Sequence, residues 1–335
     1  MGVLDEMTVP VIAAPMAGGP STPELVAAVA AAGGFGFLAA GYLSSTQLEA
    51  KMRAVGRWYG VNLFAPQAEP EDLGPVAEYA QRLAEEFEKA GVGPGDYRTV
   101  DPTDGWAEKL DLVCEAARDG WGPAVVSVTF GLPSVAEIRR LQEAGIEVWA
   151  SVASVAAARE AVGRGVDTLV VQGPEAGGHR ATLTVAETPS EMPLRDMIAE
   201  LSGLSLVAAG GIMDAEPLSW PGVRAIACGT AFLLADEAGT GAVQREALKR
   251  ARKTATTRAY SGRVARGVET KFLADNVDAP AVYPHVNAMM GPLRAAAPEY
   301  AATWAGTGVG RIVQAPAAEI VARIMGGSES QSSEV

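Results

Sequence analysis

Short apolar runs recur along this chain, each followed by an amphipathic or alanine-rich stretch, and that rhythm limits the folds open to it more than any other feature. The runs lie at residues 9–14, 36–40, 60–64, 124–130, 147–152, 168–172, 205–209 and 225–227. None alternates cleanly between apolar and polar, so each is expected to be covered on both faces, as parallel strands with crossover helices are. Ser134 with Glu137 and Ser21 with Glu24 fit capping boxes, and Val76, Tyr79, Leu83 and Phe87 follow helical spacing. Eight such units predict an α/β fold, a TIM (β/α)8 barrel with a smaller inserted domain after the eighth strand. A doubly wound open sheet has the same periodicity. Glycine placement separates the two: no GxGxxG follows the first run, whereas glycine pairs follow the late runs, where barrel phosphate sites form.

The rhythm fails twice. Residues 66–121 form a long excursion after the third run, a lid or an elaborated crossover. A second break follows the eighth run and is richer in charge, proline and aromatics. The expected division is a barrel at 1–235, a small substrate-side domain at 236–304, a returning segment at 305–326 with a helix near 309–325, and a polar, serine-rich, disordered tail at 327–335. With 335 residues, 48% hydrophobic and 20% charged, the chain has enough apolar material for a large core. A net charge of −13 argues against nucleic acid as a partner. Cys114 and Cys228 are far apart, which excludes a cysteine zinc site and suits a reducing compartment; no metal is expected. The first residues carry acid rather than a basic leader, and the apolar stretch at 25–40 is interrupted by Gly33, Gly34 and Gly36, so no membrane association and a cytoplasmic location are expected.

Chemistry concentrates after the strands. Gln172-Gly173-Pro174-Glu175-Ala176-Gly177-Gly178-His179-Arg180 follows the sixth run, so a glycine-rich loop carries one of only two histidines at its lip. A ligand against Gly177 and Gly178 would lie within reach of that imidazole. Gly210 and Gly211 end the seventh run, and Cys228, Gly229 and Thr230 end the eighth; together they suit a phosphate cradle, with backbone N–H groups, a hydroxyl and a following helix N-terminus. Either cluster alone is more often a tight turn. Ala14, Pro15 and Met16 offer small, flat support for a planar ring. Asn62, inside a buried strand, needs a partner, which is either a ligand or a neighbouring backbone group.

The motifs APMAGG at 14–19, AAGGFGFLAAGY at 31–42, Asn62 with Phe64, QGPEAGGHR at 172–180, AAGGI at 208–212, CGTAF at 228–232 and WAG at 304–306 resemble those of nitronate monooxygenases, formerly 2-nitropropane dioxygenases. The match spans nearly the whole chain, and QGxEAGGHR is its most specific part. The resemblance implies an FMN-dependent barrel that oxidises alkyl nitronates, such as propionate 3-nitronate, or nitroalkanes by dioxygen to a carbonyl product and nitrite or nitrate. Gly210, Gly211, Gly229 and Thr230 would hold the FMN phosphate beside Cys228. Ala14, Pro15 and Met16 would support the ring, and Asn62, Gln172, Gly177 and Gly178 would meet its edges. His179 matches the catalytic histidine.

The expected partners are a small-molecule substrate and dioxygen, and a homodimer is compatible with the reading. Two positions depart from the family pattern. Ala181 stands after Arg180 where glycine is usual, and Thr307 stands after Gly306 where glutamine is usual, which would take an amide from the mouth of the site. FabK-type enoyl-acyl-carrier-protein reductases, which use FMN and NAD(P)H, share much of this scaffold. A specialised biosynthetic flavin oxidase and a non-catalytic flavin-binding protein are also compatible with these motifs. The segment Tyr283-Pro284-His285-Val286-Asn287 is compatible with lining the substrate side, though His285 itself reads as a surface-loop residue. Arg263 and Arg266 read either as partners of a ligand anion or as members of structural salt bridges.

Overall fold

The computed structural model describes residues 2–326; the tail expected to be disordered lies outside them. Eight parallel strands close into a barrel: β1 (Val11–Ala13), β2 (Phe35–Ala39), β3 (Gly60–Phe64), β4 (Val125–Thr129), β5 (Glu147–Val152), β6 (Thr168–Gln172), β8 (Leu206–Ala209) and β9 (Val223–Cys228). Closure runs through β1, where Ile12 is in register with Phe35 of β2 on one side and with Ala227 of β9 on the other. The TIM barrel expected from the rhythm is therefore the fold. Strand edges differ from the sequence reading by at most two residues, since β1 begins only after Pro10 and β9 extends back to Val223.

Barrel closure buries the inward side chains. Phe35, Phe37 and Trp149 fill the interior, Phe35 and Phe37 edge to face at 5.3 Å. The short helix Val3–Glu6 closes the end where the strands begin: Val3 joins the interior cluster, and its N–H donates to Glu147 Oε1 at 2.6 Å. Outward-facing strand residues pack under the helices. Helix Val135–Glu143 has the predicted capping box at Ser134 and Glu137. The box expected at Ser21 does not form. Thr22 caps helix Pro23–Ala31 by accepting from Leu25 N, because Pro23 takes the first helical position, and Ser21 Oγ accepts instead from Met16 N at 2.9 Å.

A cap covers the other end. The remaining strands, β7 (Gly178–His179), β10 (Thr254–Thr257) and β11 (Ala265–Val268), form an antiparallel sheet in the order β10-β11-β7. Helices Gly74–Arg82 and Ala84–Lys89, from the first excursion, share one apolar cluster with Tyr260, Phe272, Val286 and Leu293 from the second. Tyr79 Oη donates to the Ala259 carbonyl at 3.0 Å, tying the two together. His285 is buried on helix His285–Met289, with Nδ1 2.7 Å from the Tyr97 carbonyl, which corrects its reading as a surface-loop residue. The single helix expected near 309–325 is two elements, a 3-10 turn Thr307–Arg311 and the helix Ala317–Ile324. Pro316 sits at the N-cap between them, where its fixed φ suits a fresh start.

Candidate active site

A cavity of about 720 Å³ opens between the C-terminal ends of the barrel strands and the cap. Every cofactor-binding and catalytic candidate named from the sequence borders it. They arrive from separate strands: Ala14, Pro15 and Met16 after β1, Asn62 within β3, Gln172 at the end of β6, Gly210 and Gly211 after β8, and Gly229 and Thr230 after β9. Strand ends converge there because the barrel closes, and the βα-loops then face a common centre.

His179 lies on β7, in register with Ala265 of β11. Its Nε2 is 2.8 Å from Ser261 Oγ, and Phe130, Tyr283 and Trp304 surround the ring at centroid distances of 5.6, 5.8 and 5.3 Å. Burial, with the positive charges of Arg263 and Arg294 adding to it, pushes the imidazole pKa down to about 3. The fold therefore favours its neutral form. Gln172 fixes its position: the Gln172 Nε2 donates to the His179 carbonyl at 3.1 Å and its Oε1 accepts from Ala181 N at 2.8 Å. Ala181 contributes only its backbone to that brace.

The Asn62 amide nitrogen donates to Ser127 O, Ser127 Oγ and Thr129 Oγ1 at 3.2, 2.9 and 3.0 Å. The Ser127 carbonyl must receive a donor, which fixes the amide orientation. Among the described residues Oδ1 has no protein partner, so it is available as an acceptor at the cavity wall. Both partners foreseen for this residue thus have a place, protein for one end and ligand for the other.

The glycines are small for different reasons. A Cβ at Gly177 would sit 2.4 Å from Gly306 N, so this residue lets the 304–306 segment close over the loop. Gly210 and Gly211 have φ of +110° and +69°, where side chains are strained. At Gly229 the nearest atoms to an added Cβ are 3.8 Å away, on Ala14 and Met16, so a side chain there would project into the cavity. Thr230 Oγ1 accepts from Gly306 N at 2.8 Å and keeps its proton for a ligand. The helix expected behind the cradle is only the 3-10 turn Thr230–Phe232, so hydrogen bonding rather than a long helix dipole is what the cradle offers an anion. Cys228 is buried, its thiol pushed up to about 12, and serves as neutral wall.

Three further residues stand away from the cavity wall. Arg263 is fully buried and bonds Gln67 Oε1 and the carbonyls of Thr182 and Thr184, with its guanidinium 4.1 Å from the Phe130 ring; among the described residues it forms no salt bridge. Arg266 donates to the Pro174 carbonyl at 3.1 Å. Thr307 opens its 3-10 turn beside Gly211, and its N–H donates to the Glu175 carbonyl at 3.0 Å.

Sequence reasoning did not single out Ser261, which is 82 positions from His179 and has no local signal. Nor did it single out Phe130, Tyr42 or Arg294, all at the cavity wall. Tyr42 and Phe130 have φ of +67° and +75°. Positive φ in a bulky aromatic is rare and recurs where side chains are held for function.

The nitronate monooxygenase family profile matches residues 3–327. A nitronate monooxygenase from Paraburkholderia phytofirmans is 34% identical, over 94% of this chain and 91% of that protein. One from Pseudomonas aeruginosa is 35% identical, over 93% and 94%. The chain belongs to the nitronate monooxygenase family. A crystal structure of nitroalkane oxidase from Streptomyces ansochromogenes superposes with a TM-score of 0.88 at 36% identity, covering 97% of each chain. The structure of FabK from Thermotoga maritima, at 23% identity and a TM-score of 0.69, shares the fold.

As a member of a flavin-dependent nitronate monooxygenase family, the chain is an oxidoreductase. Its cavity volume lies inside the about 300–1,000 Å³ usual for cofactor and small-molecule sites. Open space at Gly229, a free hydroxyl proton on Thr230 and the available Asn62 Oδ1 fit a planar, phosphate-bearing group. Among the described residues, no helix is long and apolar enough to cross a membrane, and no group of His, Cys, Asp or Glu is arranged to hold a metal.

Proposed function

We propose that this protein uses FMN to oxidise alkyl nitronates or nitroalkanes with dioxygen, giving a carbonyl product and nitrite or nitrate. The observation that carries this reading is His179, held on β7 against Ser261 at the edge of a cavity of about 720 Å³. When bound, FMN supplies an acceptor for electrons from a carbanion-like carbon and a route for them to dioxygen.

The chain's own residues account for binding and proton transfer. Gly210, Gly211, Gly229 and Thr230 would hold the phosphate end, Ala14, Pro15 and Met16 would support the ring, and Asn62 Oδ1 would offer it an acceptor. Gly178 brings the β7 backbone alongside, and Cys228 excludes water at the floor. The Ser261 hydroxyl lies 3.2 Å from the Arg263 carbonyl, to which it donates. With its proton used there, Oγ accepts Nε2–H of His179, and the lone pair is on Nδ1, which has no protein partner among the described residues. Nδ1 takes the Cα proton of a neutral nitroalkane. For a nitronate, already deprotonated, His179 serves to position the anion.

The test is the visible spectrum of the purified protein under anaerobic conditions. Propionate 3-nitronate should bleach bound FMN, and NADH should not. Bleaching by NADH alone would support the enoyl reductase reading and sink this one. A binding-only flavoprotein would respond to neither.

A further inference from the structure

The cavity holds a positive charge that proton abstraction does not explain. Arg294 borders it, and among the described residues no Asp, Glu or Lys does. In a chain of net charge −13, a cavity wall free of acid and holding one guanidinium favours anions. Arg294 Nη1 donates to Tyr260 O at 2.7 Å and Asn287 Oδ1 at 2.8 Å, and Nη2 to Asn287 O at 2.9 Å. All three acceptors are neutral, so these bonds fix the planar fork without cancelling its charge. A guanidinium has five N–H donors, and among the described residues those left over have no protein acceptor. A partly buried cation without a carboxylate is costly unless a ligand completes it.

Two polar groups stand with it. Asn287 also borders the cavity, its Oδ1 held by Arg294 and its amide nitrogen without an acceptor among the described residues. Tyr42 Oη accepts from Tyr283 Oη at 3.1 Å, so its own proton is available. Arg294 is anchored on the carbonyl of Tyr260 and His179 on the side chain of Ser261, the next residue. The guanidinium and the imidazole are thereby hung on adjacent units of one backbone segment.

We infer that Arg294, with the Asn287 amide and the Tyr42 hydroxyl, is the oxyanion-recognition site for the substrate. The site selects a substrate that enters as an anion over its neutral counterpart. This rests on the nitronate-oxidation reading for what the oxyanion belongs to. It is either the nitronate group itself or a carboxylate further along the same molecule, and Arg294 binds both by the same forked geometry.

The holoenzyme and its Arg294→Gln and Arg294→Lys variants are assayed with propionate 3-nitronate and with propyl-1-nitronate, which lacks the carboxylate. Calorimetric binding of nitrate and of propionate is measured alongside, as probes that need no turnover. Losing charge-assisted hydrogen bonds should raise KM by about 10- to 100-fold in Arg294→Gln with kcat changed far less, and weaken at least one anion similarly, while Lys recovers part of the loss. A KM effect on both nitronates assigns the oxyanion to the nitronate group, and an effect on propionate 3-nitronate alone assigns it to the carboxylate. Unchanged KM for both, with nitrate and propionate bound as by the wild type, overturns the inference.

If the wild type oxidises neither nitronate yet binds these anions through Arg294, the proposed function fails and the anion site stands. Should Arg294→Gln not fold, Tyr42→Phe carries the same measurement, with about a 2- to 10-fold rise in KM expected for one hydroxyl. No change in that variant then counts against the site.

Discussion

His179 should make the protein acid-sensitive in a calculable way. In the folded state its pKa is held at about 3, against the ordinary 6.5 expected when unfolded. The neutral form is therefore the one the fold favours. Between those two values the unfolded chain binds a proton that the folded chain does not, so stability rises with pH across the window and is lost as pH falls from 6.5 toward 3. At about pH 5 the unfolded imidazole is almost fully protonated and the folded one is not. A gap of about 1.5 pH units at about 1.4 kcal/mol each gives about 2 kcal/mol of destabilisation relative to neutral pH. This is an upper value, because the ring's open face looks into a cavity that admits water.

Urea unfolding at about pH 7 and about pH 5 on the wild type and on His179→Asn measures the difference. Asparagine cannot titrate, so the variant should lose about 2 kcal/mol less between the two pH values than the wild type does. The chain has one other histidine, so the comparison is nearly free of competing imidazoles. Identical pH dependence in both proteins would show that the imidazole is not held neutral by its surroundings, and would refute the depressed pKa.

Other substitutions separate ligand contacts from scaffold. Gly229→Val should lower FMN content while leaving the melting temperature of the FMN-free protein nearly unchanged, since the side chain enters open cavity space. Gly177→Ala should instead destabilise by about 1–3 kcal/mol or more, read from urea midpoints, because its Cβ would overlap the Gly306 backbone. Ser261→Ala removes the partner of Nε2; turnover of neutral nitroalkanes should drop by roughly 10-fold or more while preformed nitronates are affected less, which steady-state assays on the two forms of one substrate would resolve. Tyr79→Phe breaks the bond between the two halves of the cap and should cost about 1 kcal/mol by chemical denaturation, without altering the FMN spectrum.

Much of the barrel was legible along the chain. Parallel strands are covered on both faces, so they appear as unbroken apolar runs, and their loops must carry the ligand-facing glycines. Hence Asn62, Gln172, His179, Gly229 and Thr230 were recognisable as a set. Misreadings came where local pattern competes with geometry. Ser21 matches a capping box, but Pro23 sets the helix start one residue later and hands the cap to Thr22. His285 sits between proline and valine in a stretch that reads as loop, yet the Tyr97 carbonyl from a distant excursion draws it inside.

Periodicity and glycine placement carry the fold class, the eight strand positions to within a few residues, and the loops that meet at the cavity, because both act over a few neighbouring residues. How those loops are used has no such local signature. Folding set Ser261 against His179, gave Arg263 carbonyls and an amide rather than an acid, joined helices Gly74–Arg82 and Ala84–Lys89 to the cap, and left Arg294 as a cation facing an acid-free cavity. Each of these depends on residues far apart in the chain, and burial and hydrogen bonding act only once the fold has brought them together.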